Sequence, residues 1–174
     1  MAELREQLSV VAERVRRRST GRSERMTIKN KIMKVLLING SPRKQGNTFL
    51  ALSEVASALE KQGITTEIVS IGTKAVQGCI ACNKCGELGR CVFRDELYDT
   101  LHGKLAGADG LVVGSPTYYA GPNGSLCAIL DRLFYSAGEL LRFKPAAAVA
   151  VCRRGGASAT FDRLNKYFTI NNMP

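Results

Sequence analysis

The stretch Lys34-Val35-Leu36-Leu37-Ile38-Asn39-Gly40-Ser41-Pro42-Arg43-Lys44-Gln45-Gly46-Asn47-Thr48 decides the fold. Its first six residues form a continuous apolar run with polar ends, the pattern of a strand buried on both faces. A polar, glycine-bearing turn follows. Leu50, Leu52, Val55 and Leu59 then recur at helical spacing over residues 46–61, with Asn47 as the expected cap. Gly63 ends that helix, and the β-branched run 65–70 reads as a second strand.

Working outward, the same alternation continues. Residues 95–107 read as a helix and 110–114 as a third buried strand. Residues 125–138 read as a helix with Leu126, Ile129, Leu130 and Leu133 on one face. Residues 145–152 read as a fourth strand, and 158–168 as a helix with Phe161, Leu164 and Phe168 on one side. Alternating strands and helices predict an α/β protein, a doubly wound parallel sheet with helices on both faces. Ligands in such sheets bind at the carboxyl ends of the strands. The loops after Asn39, Gly114 and Cys152 are therefore where chemistry is expected.

A length of 174 residues fits one domain, and 45% hydrophobic residues suffice for a packed core. Six cysteines are too few for a small secreted disulfide scaffold. No apolar run follows the first methionine as a signal peptide requires, and the apolar runs 35–38 and 146–152 are too short to span a bilayer. These features predict a cytoplasmic protein with reduced thiols and no membrane partner. The net charge is +10, and residues 1–33 supply half of it, with nine Lys/Arg against four Asp/Glu. Such a basic extension can bind nucleic acid, but no aromatic residues interleave its charges as single-strand binders need. A solvated appendage is the simpler reading, so nucleic acid is not an expected partner. Leu4, Leu8, Val11 and Val15 mark a short amphipathic helix in it, and 19–31 reads as a polar linker. The expected division is thus an extension, 1–32, and a domain, 33–174, with Met26 and Met33 as alternative starts.

The first loop places Ser41, Arg43, Asn47 and Thr48 around a helix N-terminus, where backbone N–H groups and the helix dipole suit a phosphate. It is not a Walker loop, because Asn47 follows Gly46 where lysine is needed, and it lacks the dinucleotide glycine fingerprint. An ordinary strand–helix turn with capping residues would carry the same composition. The second loop, 114–124, holds two prolines, three glycines, and Tyr118 and Tyr119, whose flat faces suit an aromatic ring. Tyrosines packed on a surface turn are the alternative. The third loop offers Arg153 and Arg154, for a phosphate or simply for solvent.

Cys79, Cys82, Cys85 and Cys91 have two, two and five residues between them. Zinc sites more often use two cysteine pairs separated by a longer spacer. Three cysteines at close, even spacing and a fourth nearby suit a [4Fe–4S] cluster better, with zinc and free redox thiols as alternatives. Cys127 and Cys152 read as buried small hydrophobes and His102 as structural. No side chain reads as a catalytic nucleophile or general base.

The stretches KVLLINGSPRKQGNT, GCIACNKC with CVF, GSPTYYAGPNGSLCAILDRL and CRRGGASATFDRLNKYFTINNMP, in this order over about residues 33–174, resemble the flavodoxin-like NADPH-dependent FMN reductase family, most nearly its iron–sulfur flavoprotein-like branch. The resemblance implies a flavodoxin-like fold, bound FMN, and electron flow from NAD(P)H through the flavin to a small acceptor such as a quinone or free flavin. It places Ser41, Arg43, Asn47 and Thr48 on the FMN phosphate. Ser115, Pro116, Thr117, Tyr118, Tyr119 and Gly121 would line the isoalloxazine, with Arg154 nearby. The four cysteines would hold a [4Fe–4S] cluster, which makes electron transfer from a ferredoxin-like protein the alternative function. The family also implies a homodimer or homotetramer with flavin near the subunit interface. Its members continue into a fifth strand and closing helix where this sequence reaches Pro174. The expected sheet therefore lacks that strand and helix, in a fragment or in a sheet completed by another chain.

Overall fold

The computed structural model describes residues 32–174; the expected helix and linker of the basic extension lie outside the described residues. The elements are β1 (Lys34–Asn39), α1 (Asn47–Glu60), β2 (Thr65–Ser70), α2 (Cys85–Leu88), α3 (Glu96–Gly107), β3 (Gly110–Tyr118), β4 (Gly121–Pro122), α4 (Gly124–Ser136), α5 (Gly138–Leu141), β5 (Ala146–Val151) and α6 (Ala157–Ile170). Each of the four expected strands and four expected helices is present, with ends shifted by a few residues.

Strands β2, β1, β3 and β5 lie side by side in that order, all parallel. The chain adds β2 on one side of β1 and β3 on the other, so the order reverses between β1 and β3. That reversal opens a crevice at the carboxyl ends of β1 and β3, where such sheets bind ligands. Among the described residues these are the four parallel strands; Pro174 O accepts from Ala146 N at the start of β5.

The apolar run of β1 is divided between two cores by the strand period of two. Val35 and Leu37 pack with Leu52, Val55, Leu59 and Val112 beneath α1. Leu36 and Ile38 pack with Leu101, Leu126, Ile129, Leu133, Leu164 and Phe168 from α3, α4 and α6. Burial on both faces explains why the strand shows no polar alternation. β5 differs: its six residues are all half-buried, with Ala147 and Val149 against the α1-side core and Ala146 and Ala148 against the other.

Two local expectations are corrected. Asn47 is the first residue of α1, not its cap; Gly46 is the N-cap, and no side chain bonds there. β3 runs four residues past Gly114, because Ser115 and Pro116 continue the register on Ala150 and Val151. Tyr118 then pairs with Gly121 in a two-residue hairpin. Strand pairing with β5 overrides the turn propensity of the Gly/Pro-rich sequence.

Candidate functional site

The first two loops are tied together at their roots. Gly40 N donates to Gly114 O at 2.8 Å, and Asn123 Nδ2 donates to Gly40 O at 2.8 Å. A Cβ on Gly40 would stand 2.4 Å from Leu126 Cδ2 and 2.7 Å from Gly114 O, so glycine is required by this approach. Asn123 also caps α4, its Oδ1 accepting from Ser125 N at 3.1 Å. One asparagine therefore fixes the spacing of both loops. It went unnoticed as a site residue, although an asparagine directly before a helix was a legible cap signal.

In the first loop Ser41 and Thr48 are buried, while Arg43 and Asn47 are exposed. Ser41 N donates to Asn39 Oδ1, and Arg43 N donates to Ser41 Oγ at 3.1 Å. α1 begins without a side-chain cap and without an acid in its first turn. In contrast, α3 is capped by Asp95 and carries Glu96 and Asp99 in its first turn. The positive end of α1, beside two buried hydroxyls and an exposed arginine side chain, thus suits an anion with several oxygens.

In the second loop Ser115 is buried, and its hydroxyl is already engaged: it donates to Pro116 O at 2.8 Å and accepts from Asn123 N at 3.0 Å. Pro116, Thr117 and Gly121 are half-buried, while Tyr118 and Tyr119 are exposed. The hairpin corner is Tyr119-Ala120, with φ of 47° and 58°. Two successive left-handed residues make the tight turn that matches strand twist, a conformation that costs roughly 1–2 kcal/mol per residue without glycine. The third loop packs on this corner. Gly156 adopts φ 86°, and a Cβ there would lie 2.7 Å from Ala120 Cα. Thr117 Oγ1 and Thr160 Oγ1 are 3.0 Å apart, so β3 and α6 are joined as well. Arg153 and Arg154 are exposed at this edge, and α6, like α1, starts with no side-chain cap. The structure therefore gathers all three expected loops at one sheet edge, with loops one and two bonded and loops two and three in contact.

The cysteine loop lies elsewhere. Cys79, Cys82, Cys85 and Cys91 line one pocket together with Ile80, Phe93, Arg132 and Tyr135. Ala81 and Asn83, between the first three cysteines, are left-handed at φ 53° and 59°. The first of these turns aims Ala81 N–H at Cys79 Sγ, 3.4 Å away. Cys85 Sγ lies 3.8 Å from Tyr135 O. Among the described residues all six cysteines are free thiols, and no three His, Cys, Asp or Glu side chains close on a point that could hold one metal ion. A single zinc ion would draw thiolates to about 2.3 Å from one centre, whereas a cluster gives each thiolate its own iron. Four cysteines around one pocket, with a backbone amide directed at a sulfur, fit the second donor arrangement.

α4 connects the two regions. Asn123 and Gly124 begin it at the sheet edge, and Arg132, Tyr135 and Ser136 face the cysteine pocket. Eight residues at 1.5 Å each separate Gly124 from Arg132, roughly 12 Å. Arg132 is buried with no exposed side-chain surface and pairs with Asp95 at 2.6 Å. Burial raises the Asp95 carboxyl, but the Tyr98 amide and the Arg132 guanidinium prevail and hold it below its ordinary range. Arg132 was not anticipated from the sequence. Its signal was a charge set among Ile129, Leu130 and Leu133 on the apolar stripe.

Cys127 and Cys152 are half-buried rather than buried, and burial pushes the Cys127 thiol up. His102 lies on α3 with its ring 5.5 Å from that of Tyr98, consistent with a structural role.

A doubly wound sheet with its crevice at the β1/β3 reversal and a glycine-rich loop leading to an uncapped helix defines a nucleotide- or flavin-type binding protein. Residues 33–174 match the NADPH-dependent FMN reductase family, and the chain belongs to it. It is 40% identical to an iron–sulfur flavoprotein of Methanocaldococcus jannaschii over 144 residues, 81% of this chain and 74% of that one. Its fold is similar to that of RosB solved with a bound riboflavin-phosphate intermediate, with TM-score 0.64 and 19% identity over 82% of this chain and 61% of that one. A WrbA-like flavodoxin of Agrobacterium tumefaciens superimposes with TM-score 0.56 and 18% identity, covering 82% of this chain and 74% of that one. The flavodoxin-like fold and the iron–sulfur flavoprotein kinship agree with the resemblance read from the sequence.

Proposed function

We propose that the protein is an FMN-dependent oxidoreductase that takes electrons from NAD(P)H and delivers them to a small acceptor such as a quinone or flavin. The observation that carries this reading is the uncapped N-terminus of α1 beside the buried Ser41 and Thr48, braced against the second loop by Asn123. Bound FMN would supply the redox chemistry: it can take a hydride (two electrons and one proton) from NAD(P)H and pass two electrons and that proton, with a second proton from water, to the acceptor. Ser41, Arg43, Asn47 and Thr48 hold its phosphate through N–H and hydroxyl donors and one guanidinium. Ser115, Pro116, Thr117 and Gly121 shape the crevice for its ring system, Tyr118 and Tyr119 flank that ring system, and Arg154 supplies charge at its open side. No side chain acts as nucleophile or general base. The exposed tyrosines at the crevice favour a homodimer or homotetramer in which a second subunit covers the ring. Six cysteines among 174 residues, too few for a secreted disulfide scaffold, support a cytoplasmic location.

FMN-loaded protein should oxidise NAD(P)H with a quinone or free flavin present. Arg43→Ala should weaken FMN about tenfold, the loss of one charge-assisted contact, and leave riboflavin binding unchanged. No NAD(P)H oxidation with any acceptor would sink the reading.

The cysteine pocket favours a second reading, an iron–sulfur flavoprotein that passes electrons between a ferredoxin-like donor and a partner. Cys79, Cys82, Cys85 and Cys91 would be the four ligands of a [4Fe–4S] cluster, and the name of the relative from M. jannaschii supports it. Stoichiometric iron and sulfide after anaerobic purification or reconstitution is the expected result. Zinc, or no metal, would exclude this reading.

A further inference from the structure

We propose that Arg132 is a positioning residue for the cysteine loop, and that its N–H bond to the Cys91 sulfur sets the reduction potential of a cluster held there. The inference rests on the second reading above. Among the described residues Arg132 is the charged side chain in the buried set. Besides pairing with Asp95, its guanidinium directs three donors at the loop. Nε donates to Cys91 Sγ at 3.4 Å, Nη2 to Phe93 O at 2.6 Å, and Nη1 to Gln77 O at 3.3 Å. Gln77 and Phe93 stand two residues outside the first and last cysteines, so one side chain clasps both ends of the ligand loop. The guanidinium also lies 4.8 Å from the Tyr98 ring centroid. The Tyr98 hydroxyl accepts from Cys91 N at 2.8 Å and meets Ser136 Oγ at 2.7 Å, and Ser136 Oγ donates to Arg132 O at 2.6 Å. Cys91 is thereby held at both its amide and its sulfur.

Burying an arginine is costly, and an apolar residue of similar volume often serves stability equally well. A clasp alone would need only donors for the two carbonyls. The third donor, directed at sulfur, has a chemical consequence. A cluster held there would, on gaining one electron, carry more negative charge on its ligand sulfurs. A charged N–H donor stabilises that charge and raises the potential. Asp95, paired with the same guanidinium, works in the opposite sense.

Two substitutions separate this from a purely structural role. Arg132→Lys keeps the charge, but one ammonium cannot reach the sulfur and both carbonyls together. Asp95→Asn keeps a good helix cap and removes the anion. The cluster potential would be followed by electron paramagnetic resonance during an anaerobic redox titration of the full chain. Arg132→Lys should lower the potential and Asp95→Asn should raise it. Each shift should be a few-fold to tenfold in the one-electron equilibrium, the upper end being about 59 mV. Wild-type protein that takes up no iron and sulfide would overturn both the reading and this inference. Clustered wild type and Arg132→Lys with equal potentials would overturn the inference alone. Should Arg132→Lys fail to assemble a cluster, an unchanged potential in Asp95→Asn would still overturn it.

Discussion

Residues 40–46 and 119–123 leave neighbouring strands and reach helices within a few residues, whereas residues 77–93 depart from the sheet for a long exposed excursion. The first pair inherit their positions from register: Asn39 lies opposite Gly114, and the loops that follow are joined by Gly40 and Asn123. The cysteine loop has no strand to follow. Ile80 and Leu88 within it are more than half exposed, and it is organised from beneath by two buried side chains, Arg132 of α4 and Tyr98 of α3. Backbone register places the sheet-edge loops, and Asn123 is the side chain that ties them together. Concentrated support makes the cysteine site depend on Arg132.

The largest expected effect tests that dependence. Arg132→Ala strands a half-exposed Asp95 and two carbonyls, so the cost should fall near the low end of the roughly 3–5 kcal/mol seen for broken buried pairs. Chemical denaturation would measure it. Amide exchange should quicken in 77–93 far more than in 40–48; equal acceleration would break the comparison. Gly156→Ala should cost about 2 kcal/mol, from a left-handed alanine and a contact with Ala120 that must relax. It should weaken FMN while leaving iron uptake intact, as flavin titration and metal analysis would show. Asn123→Ala should cost about 1–2 kcal/mol through the lost cap and the lost bond to Gly40. A fall in FMN affinity would confirm that this strut positions the crevice.

The smallest effect serves as a control on β2, outside both regions. Hydrogen bonds from Lys104 and Lys34 hold the Glu67 carboxyl below its ordinary value of 4.5. A depressed carboxyl contributes stability above its unfolded value and loses it as pH falls through the folded one. Glu67→Gln should therefore cost about 0.5–1 kcal/mol at pH 7 and flatten the loss of stability below about pH 4.5. Melting temperatures across pH 3–7 would reveal the change, with FMN affinity unaltered.

The unequal support also explains what could be read in advance. Lys34–Asn39 and the helix stripes announced themselves because burial on both faces or on one face leaves a period in the sequence. The three ligand-edge loops followed from alternation alone. The cysteine spacing was visible because ligand chemistry needs particular residue types. Arg132 was not visible as a partner of Cys91, since forty-one residues separate them. Tyr119-Ala120 was not visible as a left-handed corner, since neither residue favours positive φ.

By itself, then, the sequence determined an alternating α/β chain, the edge at which such sheets bind ligands, and a four-cysteine loop, because each of these depends on local pattern or residue chemistry. Tertiary structure alone decided that β3 extends through Pro116 to Tyr118, that Gly46 rather than Asn47 caps α1, and that Asn123 and Arg132 hold the two sites. Those outcomes depend on which distant backbone groups and side chains come within bonding distance. That proximity is set by the pairing of β3 with β5 and the seating of α4 against the sheet.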